Sequence, residues 1–416
     1  MPVWHAATKA LRESGELVVI GIVQEQHPER AQLYAQWQEF DWPILWDPFN
    51  LLDLSAVPVI CAVDDHGRVV SNRLDPRDID GPKGLKKLLF EPSFEAPLRV
   101  PEAQALLSRS LLETPKGLEP KGPLGVLNSL AFFVFESRSA EGAADQFDLG
   151  VDRLRAWAER DGALPADQFR LGVALRLRYD SPYAKPDDFQ ASLDAWAAAL
   201  AAKPSQYIWR RRIQQWGPRL DKPYSFYDWV DRATTEVAAR GEVPIALRVS
   251  LTGSEQANRQ STIEASARVN EPDPKAEIPA DEQGWLKVTP AIAVHSGDIG
   301  RGAGRATAAA RVHLSLALNA DKDVHWTNDA GNSVVWIETP KGWRTPKQHL
   351  VLDAPASLTS KETRRLDFGV IPDTKGDSPK GILRGYVLSY LCSGENGECR
   401  YLRTDFEVEL PSSGSH

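Results

Sequence analysis

The sequence predicts a multidomain chain in which an α/β region, an all-helical region and an all-β region follow one another. In the first part, apolar strand-like runs alternate with segments of helical periodicity. In the middle, apolar residues recur at helical spacing, and toward the end short segments alternate between apolar and polar residues. With 416 residues, 42% of them hydrophobic and 25% charged, the chain has the length and composition of several globular domains.

Charge and motif content argue against several classes of function. The formal net charge of -8 argues against nucleic acid or an anionic membrane surface as the main partner, because both require a basic face. No run approaches the roughly 18 apolar residues of a membrane span, and no secretory leader is visible at Met1. Glycine-rich nucleotide loops, zinc-protease helix motifs and serine nucleophile elbows are missing, so we predict no cofactor and no metal.

Residues 1 to about 95 form the predicted α/β region, in which an initial helix is followed by strand, helix, strand, hairpin and helix. The strand over 17–23 is apolar on both faces, as is typical of a buried central parallel strand. A second helix begins at Pro28, a residue suited to the first helical turn, and carries an apolar stripe. The remaining predicted elements are a helix over 3–14, hairpin strands over 59–64 and 68–74 joined by Asp65-His66-Gly67, and a closing helix from Gly84.

This order, together with Trp42-Pro43-Ile44-Leu45-Trp46-Asp47 and the segment that contains Val57-Pro58, resembles the second half of a thioredoxin fold. The similarity is to the TlpA-like and peroxiredoxin-like (AhpC/TSA-like redoxin) families. It implies that Pro2 is the proline that follows the redox Cys-x-x-Cys pair in the first helix. The first strand and the catalytic cysteines are therefore expected upstream of Met1, and we expect no dithiol catalysis at this site of the chain.

The same resemblance implies a role for Pro58. In this family the bond before this proline is cis and the loop faces the active-site cysteines, so Val57 and Pro58 would form a substrate-docking backbone. The alternative is that the bend persists only as part of the fold. Because only about 5–6% of X-Pro bonds are cis in folded proteins, a cis bond here is a specific prediction. Cys61 follows in an apolar strand, and we predict an unreactive core thiol.

A linker rich in proline and glycine, residues 96–123, leads to a helical region over 124–240. Phe169, Val173 and Leu177 lie at i, i+4, i+8 spacing, and Phe189, Leu193 and Trp196 mark the next helix. The stretch from Asp187 to Pro204 resembles one tetratricopeptide-like helix pair, although the period is too irregular to predict a full repeat array.

The densest cluster of aromatic and basic residues lies near the end of the helical region. One interpretation is a platform for a ligand or for nucleic acid. The other, favoured by the acidic net charge, is domain docking in which arginine stems cover aromatic rings. The predicted docking residues are Trp209, Arg210, Arg211, Trp216, Tyr224 and Trp229.

Residues 242–411 predict an antiparallel β-sandwich of the immunoglobulin-like kind. Its polar insert, about 253–281, is expected to be a loop or disordered, and the segment from His325 to Asp329 is expected to form a turn. The predicted strands lie at 245–251, 310–318, 334–337, 366–370, 385–391 and 401–410.

Cys392 and Cys399 flank Asn396-Gly397, a pair that favours a tight reversal. The flanking strands place the two sulfurs across the mouth of a hairpin, within reach of a disulfide. Two thiols without nearby histidine or cysteine partners do not fill a zinc shell, so no metal site is predicted. Both a structural and an exchangeable disulfide remain open at this point.

The setting of this pair, Tyr-Leu-Cys and Cys-Arg-Tyr-Leu before a final strand, resembles the N-terminal domain of the thiol-disulfide interchange protein DsbD. The resemblance implies a disulfide that passes electrons to a thioredoxin-fold or membrane thiol-redox partner, in a periplasmic or extracytoplasmic setting; a cytoplasmic one is the alternative. Three functions compete: a thiol-disulfide exchange or antioxidant protein, a non-catalytic scaffold, and a DsbD-like electron relay through Cys392 and Cys399.

Overall fold

The computed structural model describes seven stretches of the chain, residues 2–85, 122–214, 227–251, 270–295, 309–372, 380–394 and 399–410. Short gaps within them fall at 56, 65–66, 72–73, 78, 80–83, 140–141, 250, 353 and 356. The chain divides into two compact units. The first unit is Met1–Ala184, Asp194–Arg211 and Trp229–Val249, and the second is Lys185–Leu193, Arg212–Asp228 and Ser250–His416. The molecule therefore combines helices with antiparallel sheets in a mixed multidomain fold.

The N-terminal part of the first unit follows the predicted order of elements. Strands β1 and β2 pair in parallel, and β3 and β4 form an antiparallel hairpin, which the Asp64 backbone N–H closes by donating to Arg68 O. Leu11, Ala62 and Leu85 form a small core, and the closing helix predicted from Gly84 lies outside the described residues beyond Leu85. The elements are α1 (Pro2–Ala7), α2 (Lys9–Glu13), β1 (Gly21–Val23), α3 (Pro28–Trp37), β2 (Ile44–Trp46), β3 (Ala62–Val63) and β4 (Val69–Ser71).

Two predictions for this part were wrong. The strand predicted over 17–23 is ordered as β1 only at its end, and Ile20 and Ile22 are about half exposed (53% and 46%), so it is not buried on both faces. Among the described residues β1 has β2 as its one partner, and the small core of Leu11, Ala62 and Leu85 contains no residue of β1. Cys61 is exposed rather than buried, because its neighbour Ala62 points into the core and successive side chains of an extended segment point to opposite sides.

The middle of the chain is helical, as predicted. The buried faces are those that the spacing of apolar residues indicates, with Phe147, Phe169 and Val173 almost inaccessible. At Gly150 a Cβ would lie 2.9 Å from the Phe133 ring, so glycine lets the helix approach this ring closely. The helices are α4 (Gly122–Ala131), a π-helical turn (Phe132–Glu136), α5 (Ala144–Ala158), α6 (Pro165–Tyr179), α7 (Asp188–Ala202), α8 (Tyr207–Gln214) and α9 (Trp229–Ala239).

The second unit contains two antiparallel sheets that share one hydrophobic core. One sheet has the order β10-β8-β13-β7-β11, with β14 also paired to β13, and the other has the order β5-β6-β12-β9. The strands are β5 (Leu286–His295), β6 (Ala309–Leu318), β7 (Val324–Thr327), β8 (Ser333–Glu338), β9 (Trp343–Arg344), β10 (His349–Leu352), β11 (Thr359–Ser360), β12 (Arg364–Pro372), β13 (Gly381–Ser393) and β14 (Cys399–Leu410).

The structure corrects two sequence predictions near this unit and agrees with a third. Residues 245–249 form no strand: Ile245 N–H donates to the Gln36 side chain, which replaces a strand partner. The segment predicted as a turn from His325 is strand β7, paired with β13. Residues 270–281 of the polar insert are irregular, as predicted, with Asp273 buried and most of the others exposed, whereas 252–269 lie outside the described residues.

Candidate functional site

The two cysteines of the second unit form a disulfide, as their position across a hairpin predicts. Cys392 ends β13, Cys399 begins β14, and the two residues are directly paired in the ladder with 4.0 Å between their Cα atoms. The reversal between them, which contains Asn396-Gly397, lies outside the described residues. The long β13–β14 pairing thus brings the sulfurs together at the open end of a hairpin.

The two sulfurs have different surroundings. Cys399 is exposed, whereas Cys392 is 3% exposed and its Sγ lies in hydrogen-bond contact with Thr327 Oγ1 of β7. His325 is directly opposite Cys392 in the β7–β13 ladder. Directly opposite side chains of an antiparallel pair share a face, with about 4.5–5.5 Å between their Cβ atoms. Cys399 is therefore accessible to an attacking thiolate, whereas Cys392 lies beside the hydroxyl of Thr327 and opposite the imidazole of His325.

Beyond the disulfide, the same sheet face is aromatic and is covered by residues 270–281. Tyr390 and Tyr401 stack at 4.3 Å, and Arg403 lies 3.8 Å from the centre of the Tyr386 ring. Arg403 Nη1 donates to the carboxylate of Asp273 at 3.0 Å.

The carboxylate of Asp273 attaches residues 270–281 to the sheet through Arg403. Burial on its own would raise the pKa of this carboxyl, but hydrogen bonds from Arg403 and from the backbone N–H groups of Glu277 and Ile278 outweigh it. The pKa of Asp273 therefore lies below its ordinary value, and the group is ionised at neutral pH. Burial also raises the pKa of the nearby Tyr401 hydroxyl.

The Val57–Pro58 bond is cis, as the sequence predicts, and it lies in the stretch that leads to β3. Val57 and Val59 are exposed (43% and 47%), so the bend presents an apolar surface. The nearest cysteine in sequence, Cys61, is a single exposed thiol, and it is the one free cysteine of the chain. The bend alone therefore offers a surface but no dithiol.

Four of the predicted docking residues are described, and they have separate positions in the first unit. Trp209 is fully buried and stacks on Phe169 at 5.4 Å, so it belongs to the helical core. Arg210 donates to the Pro204 carbonyl oxygen. Arg211 pairs with Glu25 at 3.4 Å, and this pair links α8 to the α/β part. Trp216 and Tyr224 lie outside the described residues.

Trp229 carries the most extensive of these contacts. Its ring lies parallel to that of Trp37 on α3, with 6.0 Å between centroids, and it meets the edge of Tyr34 at 5.1 Å. Trp37 Nε1 also donates to the carboxylate of Glu236, which lies two helical turns after Trp229 on α9, at 2.6 Å. Helix α9 is thus held against α3 by aromatic stacking and a hydrogen bond.

A cleft that the sequence does not predict lies at the N-terminus of α3. We call it the α3 cleft, a cavity of about 40 Å³. His27 is the N-cap residue of α3, and its Nε2 lies 3.6 Å from Asp180 Oδ2. Its residues come from distant parts of the first unit, which is why no local motif signals it; they are Gln26, His27, Pro28, Glu29, Trp46, Ser137, Arg138, Phe147, Leu177, Asp180, Ser181, Arg248 and Val249.

Within the described stretches, no group of three or more potential ligand side chains could hold a metal ion. Helices in those stretches are all too short or too polar to cross a bilayer.

Comparisons with known proteins identify no family. No family model matches the chain, and no curated protein matches it. A Northeast Structural Genomics Consortium target is 11% identical over 31% of this chain and 89% of its own, with a TM-score of 0.19. A candidate ApaA protein from Bordetella pertussis is 10% identical over 32% of this chain and 93% of its own, with a TM-score of 0.16. Similarities this low support no conclusion about fold or function.

Proposed function

We propose that this protein takes part in thiol-disulfide exchange and that its exchanging group is the Cys392–Cys399 disulfide. The observation that carries the proposal is the unequal exposure of the two sulfurs at the open end of the hairpin. An exchangeable disulfide needs one sulfur that an incoming thiolate can reach and a second that leaves readily. Cys399 meets the first requirement and Cys392 the second.

The exchange begins when a thiolate of a reduced dithiol partner attacks Cys399 Sγ. The Cys392–Cys399 bond breaks, a mixed disulfide forms at Cys399, and Cys392 leaves with the electron pair as a thiolate. The second thiolate of the partner then attacks the partner's own sulfur in the mixed disulfide and releases Cys399. Two electrons and, after protonation, two protons pass to this chain, and the partner ends as a disulfide.

Thr327 and His325 favour this direction of attack. A hydroxyl that donates to the departing Cys392 sulfur stabilises the thiolate, and a thiol of lower pKa leaves faster. The His325 imidazole, opposite Cys392 in the ladder, provides a group that can give the thiolate its proton.

The partner that fits this chemistry is a thioredoxin-fold or membrane thiol-redox protein with its own dithiol, in an extracytoplasmic setting. We assign the N-terminal part of this chain to the thioredoxin-like family. This assignment is supported by the parallel β1–β2 pair, the β3–β4 hairpin and the cis bond before Pro58. We assign it a docking rather than a catalytic role, because Cys61 is a single thiol.

The test is a redox titration of the folded protein with a Cys61→Ser background, so that the free thiol does not contribute. The protein is equilibrated in thiol buffers of graded potential, alkylated, and analysed by mass spectrometry while circular dichroism monitors the fold. We expect Cys392 and Cys399 to open at a midpoint between about -180 and -280 mV with the fold intact. A midpoint below about -300 mV, or opening only on unfolding, would mean a structural disulfide and leave a non-catalytic scaffold.

A further inference from the structure

We propose that the α3 cleft is a binding site for a small carboxylate that carries a hydroxyl group next to the carboxylate, a 2-hydroxy acid of two or three carbons. The proposal concerns the first unit and is independent of the disulfide. It stands on three properties of the cleft, namely an unsatisfied buried amide, a helix N-terminus beside two arginines, and the chemistry of its walls.

The unsatisfied amide belongs to Gln26, just before the N-cap residue of α3. Its side chain is buried, at 3% exposure, and lines the cleft. Neither Oε1 nor Nε2 has a hydrogen-bond partner among the described residues. Leaving such a buried group unpaired is unfavourable, and buried polar atoms are nearly always bonded. Gln26 therefore offers one acceptor and one donor, side by side, to an occupant of the cleft.

The charges around the cleft favour an anion. The carboxylate of Glu29 accepts from Arg138 and lies 4.0 Å from Arg248 Nε, and Asp180 accepts from Arg176 at 3.1 Å. Two guanidinium groups, those of Arg138 and Arg248, and two carboxylates, those of Glu29 and Asp180, thus line the cleft and balance each other. The N-terminus of α3 adds partial positive charge at the same place.

The arginine donors are accessible from the cleft mouth. Arg138 and Arg248 have about a third and a half of their side chains exposed, whereas Glu29 between them is buried. Guanidinium groups present several N–H donors in one plane, so donors of Arg138 remain after it has bonded to Glu29, and Arg248 lies 4.0 Å from the same carboxylate without a hydrogen bond to it. A carboxylate at the mouth can therefore bond to both arginines.

The size and walls of the cleft limit the ligand. A cavity of about 40 Å³ has more room than one water molecule needs and is open to solvent, so a small ligand can extend from it into the mouth. Trp46, Phe147 and Leu177 line the apolar side, where a short carbon chain fits. A 2-hydroxy acid matches all three properties: its carboxylate accepts from Gln26 Nε2 and the arginines, and its hydroxyl donates to Gln26 Oε1.

The experiment uses the full-length protein and three related probes, followed by titration calorimetry and saturation-transfer NMR. Glycolate has both the charge and the hydroxyl, acetate lacks the hydroxyl, and glycolamide lacks the charge. We expect glycolate to bind and each of the other two to bind about tenfold more weakly or worse, since each loses a hydrogen bond or charge contact.

Two variants separate the contributions of the cleft residues. Gln26→Leu should abolish the preference of glycolate over acetate, whereas Arg248→Ala should weaken both anions equally and leave glycolamide unchanged. Arg232→Ala, an exposed arginine of α9 outside the cleft, is the matched control and should change nothing. Gln26→Leu should also raise the melting temperature of the free protein, because it removes unpaired buried polar atoms, so lost binding cannot be ascribed to unfolding.

Three outcomes would overturn the proposal. In the first, glycolate and acetate bind equally well in the wild-type chain. In the second, binding is unchanged in Gln26→Leu. In the third, no probe binds, and a crystal structure grown with glycolate shows only water bridging Gln26 to the cleft walls.

Discussion

At the scale of single residues, the candidate redox site depends on what surrounds Cys392. The side chain is buried and bonded to Thr327, whereas Cys399 is in solvent. This difference in exposure arises because Cys392 ends β13, which pairs with β7, whereas Cys399 begins β14 at the sheet edge. The rate of exchange should therefore respond to Thr327.

Replacing Thr327 with valine removes the hydroxyl and keeps the shape of the side chain. We expect reduction of Cys392–Cys399 by dithiothreitol to slow about five- to tenfold, because the leaving thiolate loses a hydrogen bond of about 1–1.5 kcal/mol. The measurement is the rate of thiol release by stopped-flow alkylation at pH 7. Thr327→Ser retains the hydroxyl and should react at nearly the wild-type rate; equal rates for all three proteins would contradict the leaving-group role.

Asp273 predicts how stability of the second unit depends on pH. Its pKa in the folded protein is lowered, so its contribution is present above the unfolded value of about 3.9 and is lost as pH falls through the folded value. We expect Asp273→Asn to reduce the free energy of unfolding by about 1–3 kcal/mol at pH 7. Below pH 3 the difference in the free energy of unfolding between wild type and Asp273→Asn should shrink.

Urea unfolding at both pH values measures this effect. The matched control is Asp405→Asn, which removes an exposed carboxylate from the same arginine, 2.9 Å from Arg403. An exposed pair of this kind contributes about 0–1 kcal/mol, so the control should be nearly neutral. A loss at Asp273 that is as large at pH 3 as at pH 7 would mean that charge is not its cause.

At the scale of elements, the long β13–β14 hairpin depends on a glycine. Gly385 pairs with Phe406 on β14 and with Ile337 on β8. A Cβ at this position would lie 2.5 Å from both the Phe406 ring and the Trp336 carbonyl oxygen. Because backbone oxygen cannot move aside in the middle of a sheet, no larger residue fits without distorting the ladder.

We therefore expect Gly385→Ala to destabilise the second unit by about 1–3 kcal/mol, the range for overpacking a well-packed interior. Chemical denaturation followed by tryptophan fluorescence measures the change. Arg384→Ala, one residue earlier on the exposed side, removes a surface pair with Glu407 and should change stability by under about 1 kcal/mol. Similar losses of stability in both variants would indicate that β13 is sensitive to any substitution, and that the close approach at Gly385 is not the cause.

A second element-scale prediction concerns the α3–α9 contact. Trp229→Ala removes the ring that stacks on Trp37 and touches Tyr34, and we expect a loss of about 2–3 kcal/mol in the first unit. Hydrogen exchange read by mass spectrometry should show faster exchange in α3 as well as α9. Thr235→Ala on the exposed side of α9 is the control. If α3 remains fully protected in Trp229→Ala, the stack does not hold these helices together.

At the scale of the whole molecule, the disulfide belongs to one of the two compact units. A bridge that closes a short loop, here a sequence separation of 7, stabilises by about 2–3 kcal/mol in the chain-entropy model. Reduction should therefore lower the stability of the second unit and leave the first unit unchanged. Hydrogen exchange with and without reductant checks this. Faster exchange in α5 and α6 on reduction would show that the two units unfold together.

Local sequence patterns determined most of the elements of this protein. Apolar spacing identified the helices around Phe147 and Phe169, alternation identified β6, β12, β13 and β14, and Pro28 marked the start of α3. The pairing of Cys392 with Cys399 was also predicted, because hairpin geometry acts over a few residues, whereas the cis bond before Pro58 was predicted from the resemblance to the thioredoxin fold. In contrast, β5 was missed: Pro290 argues against a strand unless the strand lies at a sheet edge, as β5 does.

Only the tertiary structure decided which faces are buried and which side chains meet. Ile20, Ile22 and Cys61 look like core residues in the sequence and are exposed, because burial depends on what packs against a segment. The same is true of Thr327 beside Cys392, and of Arg138 and Arg248 on either side of Glu29. Periodicity carries information about the next turn or the next strand residue, whereas contacts between residues over a hundred positions apart are set by the folded chain alone.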